Sequence, residues 1–151
     1  MCPATPKEMI CEAVRALAAL DLAAACGWRP ADLRAWRCAG MQRLRDGQSV
    51  AAAEILDYAC FLDVASAATW ETAAVARLAA GRPQAAALAI EIARAIEPSW
   101  QRAAIAALCR EALGDTAGTA LCVAEARQLA MEEPAAAASL DRVFGRREEG
   151  E

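Results

Sequence analysis

Three glycines constrain this chain more than any other feature. Gly47 in "RDGQS", Gly81 in "AAGRP" and Gly114 in "ALGDT" each follow one apolar helical run and precede another, and they are spaced by 34 and 33 residues. A glycine at a helix end accepts the positive φ that other residues resist, so each marks a stop. Proline is favoured at a helix entry, and Pro83 stands just beyond the second stop. A period of this length marks helix pairs stacked in series, because one pair cannot bury its own apolar face whereas several can.

The residues between the glycines repeat as well. In the first unit Trp36 is followed by Ala39, Gly40, Gly47, Ala52, Leu56, Ala59, Leu62 and Asp63. In the second, Trp70, Ala73, Ala74, Gly81, Ala86, Ile90, Ala93 and Ile96 keep those offsets without a gap, and Pro98 follows. The third starts near Trp100, one residue short, with Ala103, Ala106, Ala107, Gly114, Thr119, Val123, Ala126 and Leu129. The spacing is that of the tetratricopeptide repeat, W-x2-L-G-x2-Y, then A-x3-F, then P. A plain antiparallel bundle rich in alanine would share the small-residue matches. Two tryptophans 34 residues apart and three aligned glycines favour the repeat.

Small residues at fixed places let antiparallel helices approach, and Trp36, Leu56, Trp70, Ile90 and Val123 fill the space between neighbouring pairs. Strand-favouring residues are sparse, so the expected fold is all-α. It comprises three tetratricopeptide helix pairs in a right-handed superhelix, with an N-terminal helix and a short C-terminal capping helix. A single domain of 151 residues is expected. The N-terminal helix is placed at 7–26, the three repeats at 33–66, 67–99 and 100–131, the C-terminal helix at 134–145 and a disordered tail at 146–151.

Several function classes are disfavoured. A net charge of -4 with scattered Lys and Arg offers no basic stripe, so no nucleic-acid partner is expected. Arg82, Glu91, Arg94 and Glu97 interrupt the most apolar stretch, "AAGRPQAAALAIEIARAIEP", which reads as scaffold and not as a membrane span. Glu8, Glu12 and Asp21 spoil any secretory signal, and the chain is expected to remain in the cytoplasm, without inserting into a membrane.

The chain has no histidine and no C-x-x-C pair among its seven cysteines. The cysteines therefore read as reduced thiols packed as small hydrophobes, with no metal and no cofactor expected. Without histidine, a phosphate loop or converging carboxylates, no catalytic residue is assigned and the chain is not expected to be an enzyme. Asp57, Asp63, Glu91 and Glu97 read as solvated faces or helix-end charges.

In stacked helix pairs the first helix of each pair lines the concave side. The repeat register puts Arg34, Arg37, Met41, Leu44 and Arg45 there from the first pair, Ala68, Glu71, Val75 and Leu78 from the second, and Gln101, Ala104, Leu108 and Glu111 from the third. The middle of that face is apolar, which suits an extended peptide with hydrophobic anchors. The alternative is that Met41, Val75, Leu78 and Leu108 belong to the core. On the N-terminal helix, Ile10, Val14, Leu17 and Leu20 form an apolar stripe for the first repeat or for a second copy.

From about Leu33 to Ala130 the chain resembles the class II chaperones of bacterial type III secretion, the SycD/LcrH type. The more specific likenesses are Leu62–Asp63 and the run Cys109, Gly114, Ala120, Ala124, Ala126 and Leu129. The resemblance implies a bacterial cytoplasmic chaperone that needs no ATP, holds an extended segment of a hydrophobic translocator in its groove, and homodimerises through the N-terminal helix. Relatives commonly display tyrosines in the groove. Here the only tyrosine, Tyr58, falls on a second helix. A general repeat adaptor, or a chaperone of another secretion component such as a needle subunit, stays open as an alternative.

Overall fold

The computed structural model describes residues 5–145, with only the backbone of Pro6; the expected tail at 146–151 lies outside the described residues. Nine helices occur among them: α1 Pro6–Ala18, α2 Leu22–Ala25, α3 Pro30–Arg45, α4 Ser49–Leu62, α5 Ala67–Ala79, α6 Pro83–Ile96, α7 Trp100–Ala112, α8 Thr116–Leu129 and α9 Pro134–Phe144. The chain divides into two compact units, one ending at Glu97 and the other beginning at Pro98. The backbone is extended at Glu97 and Ser99, between the end of α6 and the start of α7.

The helix expected over 7–26 is in fact two helices. Asp21 takes a left-handed conformation, with φ 41°, and its carboxylate accepts the Ala24 N–H at 3.1 Å to start α2. An aspartate tolerates that conformation better than most residues because its short side chain bonds locally. Thr5 and Glu8 open α1 as a reciprocal capping box, with Glu8 Oε2 accepting the Thr5 N–H at 2.7 Å and Thr5 Oγ1 accepting the Glu8 N–H at 3.3 Å. The helix then packs on α6, where the Cys11 thiol donates to the Ala95 carbonyl at 3.0 Å. Ile10 and Val14 are half-buried, while Leu17 and Leu20 are 46% and 62% exposed, so the stripe reaches α6 of its own chain with only part of its length.

The three repeat glycines share one physical solution. Gly47, Gly81 and Gly114 have φ of 75°, 72° and 75°. In each case the following N–H turns back over the helix end, from Gln48 to the Arg43 carbonyl, from Arg82 to Arg77 and from Asp115 to Arg110, at 2.9–3.0 Å. Carbonyls that a helix end would strand are thereby satisfied.

In the first unit Ala52, Ala53, Leu56 and Cys60 of α4 meet Ala73 and Ala76 of α5, all buried, with Leu44, Trp70 and Ala80 packed against them. On α6, Ala86, Ala89, Ile90 and Ala93 are fully buried. Burying a side chain the size of Leu56 or Ile90 contributes about 1.5–3 kcal/mol, so the large residues supply energy where the alanines supply proximity. Burial pushes the Cys60 thiol up to about 12, which keeps it protonated and inert.

In the second unit Ala103, Ala106 and Ala107 of α7 and Cys122, Val123 and Ala126 of α8 are buried. Ala136, Leu140 and Phe144 lie one turn apart on α9, which packs on α8.

Candidate peptide-binding faces

The faces of α3 and α5 in the first unit are built by helical spacing. Alanines 73, 74 and 76 of α5 are fully buried, which turns Ala68 and Val75 outward. Val75 is 37% exposed, and Glu71 and Leu78 flank it half-buried. On α3, Arg34 and Arg45 are exposed and Arg37 and Met41 are half-buried. Because α3 and α5 touch, these side chains sit on neighbouring helices. Leu44, half-buried like Met41 and Leu78, also packs against the Ala52–Leu56–Ala76 core.

In the second unit, Gln101 and Glu111 on α7 are exposed and Ala104 and Leu108 half-buried, with Ala103, Ala106, Ala107 and Cys109 buried on the other side. The α3 face is basic, with Arg34, Arg37 and Arg45, whereas α5 offers Glu71 and α7 offers Glu111. Each face therefore combines one or two half-covered apolar side chains with charges at its edges. Such a surface can hold an extended chain by apolar anchors.

Three features lie outside what sequence reasoning assigned. Asp57, read as a solvated charge, is only 35% exposed and accepts from Arg77 at 2.7–2.8 Å, with Arg82 at 3.7 Å. Arg77 also donates to the Ala85 carbonyl at 3.0 Å and lies 6.0 Å from the Trp70 ring, so it ties α4, α5 and α6 together. An acid ten residues past Gly47 and an arginine four before Gly81 give no local periodic signal, and only the tertiary fold pairs them. Second, Trp28, Trp36 and Tyr58 form a chain of rings with centroids 5.7 and 5.3 Å apart. Trp36 belongs to the repeat pattern, Trp28 precedes it, and Tyr58 lies on a second helix outside the repeated positions. Third, the Asp63 carboxyl at the end of α4 is held above the ordinary carboxylate range by burial, against the lowering effects of the Arg37 charge and a Ser66 hydrogen bond.

No protein-family model and no curated protein matches the chain. Solved structures do match it. The fold is the all-α tetratricopeptide fold found in type III secretion translocator chaperones. One such match is PcrH, from Pseudomonas aeruginosa, in complex with the chaperone-binding region of PopB: 23% identity over 78% of this chain and 98% of that one, with TM-score 0.72. A second is the translocator chaperone SycD of Yersinia enterocolitica, at 15% identity over 82% of this chain and 96% of that one, TM-score 0.74. A third is a type III secretion complex from Aeromonas hydrophila, at 21% identity over 93% and 99%, TM-score 0.76. No helix among the described residues is long and apolar enough to cross a membrane.

Proposed function

We propose that this protein is a bacterial type III secretion chaperone that binds a hydrophobic translocator in the cytoplasm before export. An extended segment of the translocator lies along the exposed faces of α3 and α5, with Met41, Val75 and Leu78 receiving its apolar anchors and Arg34, Arg37, Arg45 and Glu71 fixing its register. Within the second unit, Gln101, Leu108 and Glu111 of α7 have the same role. The role is non-catalytic: affinity comes from desolvating a few apolar side chains, and release needs no chemical step.

The observation that carries this reading is a first-helix face with an exposed valine, Val75, flanked by half-buried Glu71 and Leu78, in a fold shared with PcrH and SycD. PcrH has been solved with the chaperone-binding regions of PopB and PopD, and SycD with a peptide of the translocator YopD. SycD has also been solved as an alternative dimer. The exposed Met9 and Leu17 of α1, with Leu20 in the turn that follows it, offer an apolar surface for such self-association here.

Co-expression with the gene's chromosomal neighbours tests the proposal. The expected outcome is a stoichiometric complex with a membrane-active protein that is insoluble alone. Capture of a partner that is soluble by itself would instead identify a general repeat adaptor. Sedimentation at several concentrations, with and without Leu17→Glu, tests the homodimer.

A further inference from the structure

The face of α3 that carries Met41 is basic, and nothing on its own helix balances the charge. Arg34, Arg37, Met41 and Arg45 follow one another by three, four and four residues, which stacks them along one side. No acid stands three or four residues from any of the three arginines, so the sequence gives none of them a helical partner. The acids nearest in the chain are turned to other groups. Asp32 accepts from the Arg29 guanidinium at 3.0 and 3.1 Å, and Asp46 accepts from the Gln42 amide at 2.9 Å.

This departs from the rest of the chain, in which 20 acids outnumber 16 cations. Arg29, Arg77, Arg82, Arg94, Arg110 and Arg127 each lie 2.7–3.8 Å from a carboxylate oxygen. Among the described residues the guanidinium groups of Arg34 and Arg45 have no hydrogen-bond or ion-pair partner, and both side chains are exposed. Arg37 is half-buried and acts through its charge on Asp63. An incoming anion on this face therefore has no internal ion pair to break at Arg34 or Arg45.

Resting on the reading that the α3 and α5 faces hold an extended segment of a partner, we propose that this segment is acidic. Its carboxylates meet Arg34 and Arg37 at one end of α3 and Arg45 at the other, and an apolar residue between them covers Met41. Arg34 and Arg45 are separated by roughly 16 Å of helix rise, a distance that an extended chain crosses in about five residues. The guanidinium fork suits carboxylates because it can donate two parallel hydrogen bonds to one of them. The chain's net charge of -4 does not oppose the contact, since at physiological ionic strength the field of distant charges fades over about 8 Å.

The test titrates the whole protein, labelled at methionine and valine methyls, with three peptides and follows the binding by NMR. The first is acetyl-Asp-Glu-Ala-Leu-Val-Glu-Asp-amide; the second has Asn and Gln in place of the acids, and the third has Lys there. The acidic peptide should shift Met41 and Val75 and bind about tenfold more tightly than the amide peptide, a few ion pairs of up to about fivefold each acting together. Arg34→Glu combined with Arg45→Glu should remove that advantage and transfer it to the lysine peptide. Lys7→Glu combined with Arg15→Glu, the same change of charge at exposed positions of α1, should leave the acidic peptide's affinity as it was. Equal binding of the acidic and amide peptides at Met41 and Val75 overturns the charge assignment while keeping the face as a peptide site. No shift at Met41 or Val75 with any of the peptides overturns both. A loss as large with the α1 pair as with the α3 pair also overturns the proposal, because net charge is then the cause. The comparison of acidic and amide peptides on the unaltered protein stands even if a charge-reversed variant does not fold.

Discussion

Gly40 of α3 lies so close to Leu56 of α4 that a Cβ added to it would stand 2.5 Å from the Leu56 Cγ. Leu56 is fully buried, so its side chain cannot swing aside. The first repeat depends on this absence of a side chain for its helix–helix distance. Gly40→Ala gains about 1 kcal/mol of helix propensity but incurs an overpacking cost of about 1–3 kcal/mol, giving a net loss of up to about 2 kcal/mol. Urea unfolding should show the lower midpoint, and the loss should shrink in a Leu56→Val background, where a methylene has been removed from the contact.

The ion pair of Arg77 and Asp57 predicts a second, separate weakness. Arg77 is only 12% exposed and serves Asp57 and the Ala85 carbonyl together. Arg77→Ala leaves a half-buried carboxylate and a carbonyl with fewer donors and also removes packing on Trp70. The expected loss is about 2 kcal/mol, within the range for hydrogen bonds to charged groups, and Asp57→Asn should cost less because the amide oxygen still accepts. Thermal unfolding of the two variants decides it, and equal losses would show that charge alone matters.

The helix pairs could be read from the sequence because repeats are local in their spacing: glycine stops, proline entries and alanine–large alternation all lie within one 34-residue frame. The break at Asp21 could not, since an aspartate with positive φ has no compositional mark. The division after Glu97 coincides with the one-residue shift in register before the third repeat, but a shift that small does not by itself mark two units. On the candidate faces, Val75 and Arg34 were placed outward by period alone. The contact of half-buried Leu44 with Ala52, Leu56 and Ala76 is set by the approach of α4 and α5 and not by the period of its own helix.

Acidification should loosen the N-terminus of α1 first. The Thr5 N–H and hydroxyl hold the Glu8 carboxyl below the ordinary carboxylate range, and Arg29 does the same for Asp32 at the start of α3. For a lowered carboxyl the stabilisation is present above the unfolded pKa and is lost as pH falls through the folded one. Asp63 runs the other way: its raised carboxyl favours the protonated fold, a contribution lost as pH rises through its folded value. Amide exchange at Met9 and Ile10 should therefore accelerate below the carboxylate range ahead of the α4–α5 core, and Glu8→Gln should abolish that pH dependence while Asp63→Asn leaves it in place.

Val75 and Leu44 separate recognition from stability. Val75 is partly exposed and its neighbours Ala74 and Ala76 carry the packing, so Val75→Glu should change unfolding free energy by no more than about 0.5 kcal/mol. Leu44→Glu instead drives a carboxylate against Ala52, Leu56 and Ala76, and the unpaired charge should cost about 3 kcal/mol or more. In a pull-down with the translocator, Val75→Glu should lose the partner while keeping the circular dichroism and melting of the unaltered protein. Leu44→Glu should lose the partner only because it loses its fold. Full binding by a folded Val75→Glu would remove the α5 face from the proposed site, and an unaltered melting curve for Leu44→Glu would return Leu44 to the surface.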